Sequence, residues 1–221
     1  LASSSDTTQR FRLERPAGVS PVAVTLRSDA PWLTAPARLQ LGAGVTEVDL
    51  RYRAAELRTP GLHVGVVTGW GPDTLAGPLF RLVNTVIVPV PADTTLGMTA
   101  LEAGATERVF FAVDSGRPFS VRVTSGPDSP TLLGALHAPK GRPGPDENVL
   151  GSGPAAPADF VVDAADARPG LWEADALASP VTPGAAAVAV RSSPVRIGLA
   201  RNPKGVELSL ANLSGAPATM Q

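Results

Sequence analysis

The 221 residues are 43% hydrophobic, enough to bury cores, and 19 basic against 20 acidic side chains leave a net charge of −1. With no like-charge block, nothing in this balance suggests a nucleic-acid patch or an anionic-membrane surface. There is no cysteine, so disulfides, thiolate metal sites and thiol nucleophiles are excluded, and the redox compartment stays open.

Residues 1–8 are small and polar and read as a linker or tail. Phe11 and Leu13 alternate with Arg10, Arg12 and Glu14 as a first strand, and Val22, Val24 and Leu26 alternate with Ala23, Thr25 and Arg27 as a second. Trp32-Leu33 follows a turn at Asp29-Ala30-Pro31, and Trp32 is expected in the core. A short strand covers Arg38 to Leu41. The clearest period-two signal then places Val48, Leu50 and Tyr52 inward against Glu47, Asp49, Arg51 and Arg53. Two apolar strands, His63 to Thr68 and Leu79 to Val90, make a hairpin whose connection contains Trp70-Gly71-Pro72-Asp73 and Gly77-Pro78, which puts Trp70 in the loop. This strand count and spacing, over residues 9–91, is that of an immunoglobulin- or fibronectin-like sandwich.

Pro89, Pro91 and the polar Ala92-Asp93-Thr94-Thr95 mark a boundary, because proline cannot donate to a sheet ladder. Beyond it, over residues 92–221, strands are expected near Met98 to Ala100, at Arg108 to Val113, at Phe119 to Thr124 and at Leu132 to His137. Residues 141–158 lack periodicity and are rich in Pro and Gly, so they read as a mobile rim. Phe160 to Val162, Leu171 to Ala178, and three closing strands at Val188–Val190, Val195–Leu199 and Val206–Leu210 complete eight or nine strands of a jelly-roll-like sandwich. The fold class is therefore all-β, with two β-sandwich domains.

No hydrolytic site is legible. A triad needs a histidine against a nucleophile, and the two histidines lie in an apolar strand (His63) and beside a Pro-Lys-Gly turn (His137), away from any nucleophile elbow. Each reads as a hydrogen-bonded strand or rim histidine. No metal site or cofactor is expected: Asp146-Glu147-Asn148 lacks calcium-loop spacing, Gly151-Ser152-Gly153 is no phosphate cradle, and Asn212-Leu213-Ser214 matches a glycosylation sequon by chance. The longest apolar run, Leu82 to Val90, is interrupted and falls far below the ~20 residues that span a bilayer. The chain begins at Leu1 with no signal-peptide pattern and reads as a piece of something longer, of open localisation.

Particular wording adds a resemblance. Gly61-Leu62-His63, then Gly69 before an aromatic, then Gly77-Pro78-Leu79-Phe80-Arg81 and Thr85-Val86-Ile87 resemble the segment after the protease domain of tripeptidyl peptidase II, a subtilisin-like serine exopeptidase. Glu102-Ala103-Gly104, Arg108-Val109-Phe110-Phe111 and Pro169-Gly170-Leu171-Trp172-Glu173 resemble the second accessory sandwich of that family, a jelly-roll of the galactose-binding-like kind. The resemblance implies a non-catalytic region supporting assembly and substrate access. Its partners would be the peptidase domain of the same parent and further copies of itself, with no nucleic acid or membrane. Trp70, Leu75, Leu79, Phe80 and Arg81 are the expected contact surface. The alternative is a carbohydrate- or surface-binding module of a secreted bacterial protein, stacking sugars on Trp70 or Trp172.

Overall fold

A computed structural model describes residues 5–139, 149–152, 157–193, 195–202 and 205–212. The chain divides into two compact units, Leu1–Val88 and Pro89–Gln221. Both are built of antiparallel β-sheets, and among the described residues the helical content is a single 3-10 turn, Ala54–Glu56.

The first unit contains β1 (Thr7–Arg15), β2 (Val22–Ser28), β3 (Leu33–Thr34), β4 (Arg38–Leu41), β5 (Gly44–Tyr52), β6 (Gly61–Trp70) and β7 (Pro78–Val88). They form a three-stranded sheet ordered β1-β5-β3 and a four-stranded sheet ordered β4-β2-β6-β7. Period-two alternation gives each strand one apolar face. Val24 and Leu26 of β2, Leu50 and Tyr52 of β5, and Val67 of β6 meet with Trp32 in one core. Trp32 stacks on Tyr52 at a centroid distance of 5.9 Å. Gly65 makes room for that indole, since a Cβ there would lie 2.8 Å from Trp32 Cζ2 and 2.9 Å from the Ala30 Cβ. Asn84, in the middle of an apolar strand, also faces inward and is buried. Its Oδ1 lies 2.7 Å from the Tyr52 hydroxyl and its Nδ2 donates to the Leu82 carbonyl at 2.8 Å, so its polar groups are matched.

In the second unit, eight strands form two four-stranded sheets. They are β8 (Thr99–Leu101), β9 (Thr106–Val113), β10 (Phe119–Ser125), β11 (Leu132–His137), β12 (Val149–Ser152), β13 (Ala158–Val162), β14 (Gly170–Leu177) and β15 (Gly184–Ser192). The orders are β13-β10-β15-β8 and β12-β11-β14-β9, so the first strand pairs with the eighth, the second with the seventh, the third with the sixth and the fourth with the fifth. That is the nesting of one long hairpin folded over into a double sheet. β16 (Val195–Asn202) and β17 (Gly205–Asn212) do not close the sandwich as the sequence leads one to expect; among the described residues they pair only with each other.

Trp172 is the centre of this core. It is fully buried, its ring meets Phe119 edge-on at 4.9 Å, and Phe119 meets Phe111 at 5.4 Å. Its Nε1–H donates to the Arg168 carbonyl at 2.9 Å, and the buried Ala174 and Ala176 follow it along the inner face of β14. Trp172 therefore cannot stack a sugar, which removes half of the carbohydrate alternative. The stretch 141–158 also differs from its reading: it carries β12, paired to β11, and ends on the buried Ala158 at the start of β13. The rest of the expected rim, residues 141–148 and 153–156, lies outside the described residues, as does the Asp146-Glu147-Asn148 cluster.

Residues 90–96 are tied along this unit. Val90 N–H donates to the Phe110 carbonyl at 2.7 Å, and Leu96 N–H to that of Val188 at 2.9 Å. Asp93 takes a left-handed backbone, φ 62°, and its carboxylate accepts from the Ser192 N–H at 2.8 Å and hydroxyl at 3.1 Å. Such a conformation is uncommon for residues other than glycine, and the side-chain bonds offset its cost.

Candidate functional site

The hairpin β6–β7 carries every residue expected to make contacts. Its strands pair from Gly61↔Val88 to Trp70↔Pro78, with an irregularity at Gly69/Trp70. Trp70 is thus the half-buried last residue of β6, opposite Thr25 of β2, and the connecting loop is shorter than its sequence implies. Asp73 Oδ1 accepts from the Leu75 N–H at 3.0 Å, and Gly77 at φ 87° bends the chain into β7. Leu75 stands 98% exposed at the tip. Leu79 and Arg81 point outward; Phe80 points inward, half-buried beside the core, with its ring over Gly69.

Leu79 and Phe80 come together at the end of the sandwich. With Leu13, Glu14, Arg15, Val22 and Leu41 they line a cavity of about 250 Å³. Arg15 fixes its rim by donating to the Ser20 carbonyl at 3.0 Å and the Leu41 carbonyl at 2.9 Å. Trp70 and Arg81 lie on the outer face of the sheet, while Leu75 stands apart at the tip.

A second constellation was not read from the sequence. On the outer face of β9, β11 and β14, Arg108 Nε donates to Glu173 Oε1 at 2.5 Å, and His137 Nε2 lies 3.2 Å from Asp175 Oδ2. Arg108 also covers the Phe110 ring at 5.3 Å. The alternation of Glu173 and Asp175 against Trp172, Ala174 and Ala176 signals their outward direction. What brings in Arg108 and His137 is the register, Arg108↔Asp175 and His137↔Glu173, which no local pattern encodes. Among the described residues no group of three or more His, Cys, Asp or Glu is arranged to hold a metal ion. His63 Nε2 donates to the Thr59 carbonyl at 2.8 Å.

Asp175 Oδ1 is buried with no hydrogen-bond partner. Burial first, then repulsion from Glu173, raises its pKa to about 6 against the pull of His137 and Arg108. Between pH ~4 and ~6 the folded chain holds a proton that the unfolded chain has released, so stability falls as pH rises through that window. Asp175→Asn is therefore expected to stabilise the second unit at pH 7.5 by about 1 kcal/mol, after discounting for partial solvent access, and to be neutral at pH 4. Thermal unfolding of both proteins at the two pH values checks this; a variant less stable at pH 7.5 would contradict it.

No protein-family model and no curated protein matches the chain. Among solved structures, it is similar to a crystal structure of tripeptidyl peptidase 2 (TPP II), with a TM-score of 0.65 at 15% identity, over 90% of this chain and 19% of that one. A secreted serine protease, VesC from Vibrio cholerae, is similar over 86% of this chain and 48% of its own at 9% identity, with a TM-score of 0.37. The chain thus spans about a fifth of the TPP II chain and about half of VesC. Most of this all-β chain is similar to part of a larger peptidase, and at 15% identity that likeness is one of fold.

Proposed function

We propose that this chain is a non-catalytic accessory region of a subtilisin-like serine peptidase of the tripeptidyl peptidase II kind, supporting assembly and substrate access to an active site outside it. The observation that carries the reading is the TPP II likeness, which takes in 90% of this chain and only 19% of that one. The resemblance of residues 58–90 in sequence points the same way.

Physically, the role needs stiffness and contact surface. Two sheet-on-sheet units with buried aromatic cores hold their loops and edges in fixed geometry. β7 ends its sheet as an edge strand of 11 residues, available for pairing or packing. The hairpin tip with Leu75 and Leu79 is the contact point of this proposal, against the peptidase domain or another copy. Leu75→Asp with Leu79→Asp in the parent polypeptide tests it by native mass and peptide hydrolysis. The expected result is a smaller assembly, or lowered peptide turnover, with labelling of the catalytic serine retained. Unchanged mass and turnover would overturn this role for the hairpin.

A further inference from the structure

The outer faces of the two sheets of the first unit differ in their charge. On the three-stranded sheet, arginines and carboxylates neutralise each other across strands. Arg10 holds Asp49 through two bonds of 2.7 and 3.0 Å and reaches Glu47 at 3.2 Å, and Arg51 holds Asp6 at 2.8 Å. The four strands of the other sheet, β2, β4, β6 and β7, contain no Asp or Glu. Their outward residues include Arg27, Arg38 and Arg81, all exposed and with no ion pair among the described residues. The carboxylate just beyond β2, that of Asp29, accepts the Val66 N–H at 2.7 Å.

The register gathers these cations. Arg27 pairs with Thr68, and Thr68 with Arg81, so the two guanidiniums flank one threonine on strands roughly 10 Å apart. In the next row Arg38 pairs with Thr25, and Thr25 with Trp70. Further along β6 and β7 the same face turns apolar: Val64 is 54% exposed and Val83 62%. A basic, aromatic half therefore adjoins a β-branched apolar half.

We infer that the outer face of this sheet docks a protein partner through an acidic segment followed by apolar residues, the carboxylates meeting Arg27, Arg38 and Arg81 and the apolar side chains covering Val64 and Val83. Charge complementarity selects this occupant. Three guanidiniums without carboxylates of their own are matched by bidentate carboxylate pairing, which fixes orientation as well as sign. The adjoining valines favour apolar side chains over a phosphate backbone, and their desolvation supplies the non-ionic part of the binding. The inference stands on the chemistry of this face and is independent of the peptidase reading.

The test uses the whole chain and a fluorescein-labelled peptide of four glutamates followed by four valines. Controls are the matching lysine–valine and glutamate–serine peptides and a single-stranded polyuridine. The glutamate–valine peptide is expected to bind best, with a Kd on the order of 10–100 µM that weakens as salt rises. Reversing Arg27, Arg38 and Arg81 to Glu should weaken it about tenfold or more, while Arg12→Glu on the opposite sheet should not. The salt titration of the wild-type chain keeps the test decisive should the triple variant fail to fold. Absence of binding, binding indifferent to salt or to the triple reversal, or a preference for polyuridine or for the lysine peptide would overturn the proposal.

Discussion

Replacing Trp172 with alanine is expected to cost the second unit about 3–5 kcal/mol, enough to unfold a marginally stable sandwich. The side chain is fully buried, and its loss removes the edge-on contact with Phe119 and leaves the Arg168 carbonyl without the indole N–H. The flanking Ala174 and Ala176 on β14 have no atoms with which to refill the space. Hydrogen exchange should report lost protection in β9, β10 and β14. The first unit should keep its protection, because the two hydrophobic cores share no residue. Equal loss in both units, or a change below about 1 kcal/mol, would contradict this account of the core.

The matching substitution in the first unit, Leu50→Ala, should cost about 2–5 kcal/mol. Leu50 is wholly buried in β5, the middle strand of its three-stranded sheet, and belongs to the core shared with Val24, Trp32 and Val67. β5 pairs along its whole length with β1, from Thr7↔Tyr52 to Arg15↔Gly44, so the substitution reaches both strands. Urea unfolding followed by tryptophan fluorescence, to which Trp32, Trp70 and Trp172 all contribute, checks it, and hydrogen exchange should show the loss confined to β1 through β7.

The sequence was most legible where one side of a strand is buried and the other wet. Val48, Leu50 and Tyr52, and Phe119, Val121 and Val123, alternate with polar residues and lie inward as read. It was least legible where pairing decides. Val149–Ser152 has no periodicity and sits among Pro and Gly, yet it becomes a strand because β11 offers a partner edge. Trp70 reads as loop beside Gly71 and Pro72, but the irregular register at Gly69/Trp70 carries the ladder as far as it. Trp172 looks like any aromatic near a turn, and only the closure of two sheets puts it at the centre.

The same limit governs the surfaces. Leu75 and Leu79 were expected at a contact surface and both are exposed, whereas Phe80, expected beside them, turns inward against the core. The unbalanced row of Arg27 and Arg81 was not, since the two lie 54 positions apart in sequence and meet only through Thr68. The Arg108–Glu173 and His137–Asp175 pairs are assembled in the same way, by strand register across β9, β14 and β11.

We propose that this chain supports a peptidase active site that lies outside it. The most direct measurement treats the parent polypeptide with a fluorophosphonate probe and locates the modified serine by mass spectrometry. The account predicts one modified serine outside residues 1–221 and no adduct on the isolated chain. A modified serine within residues 1–221, or a parent with no reactive serine, would contradict it.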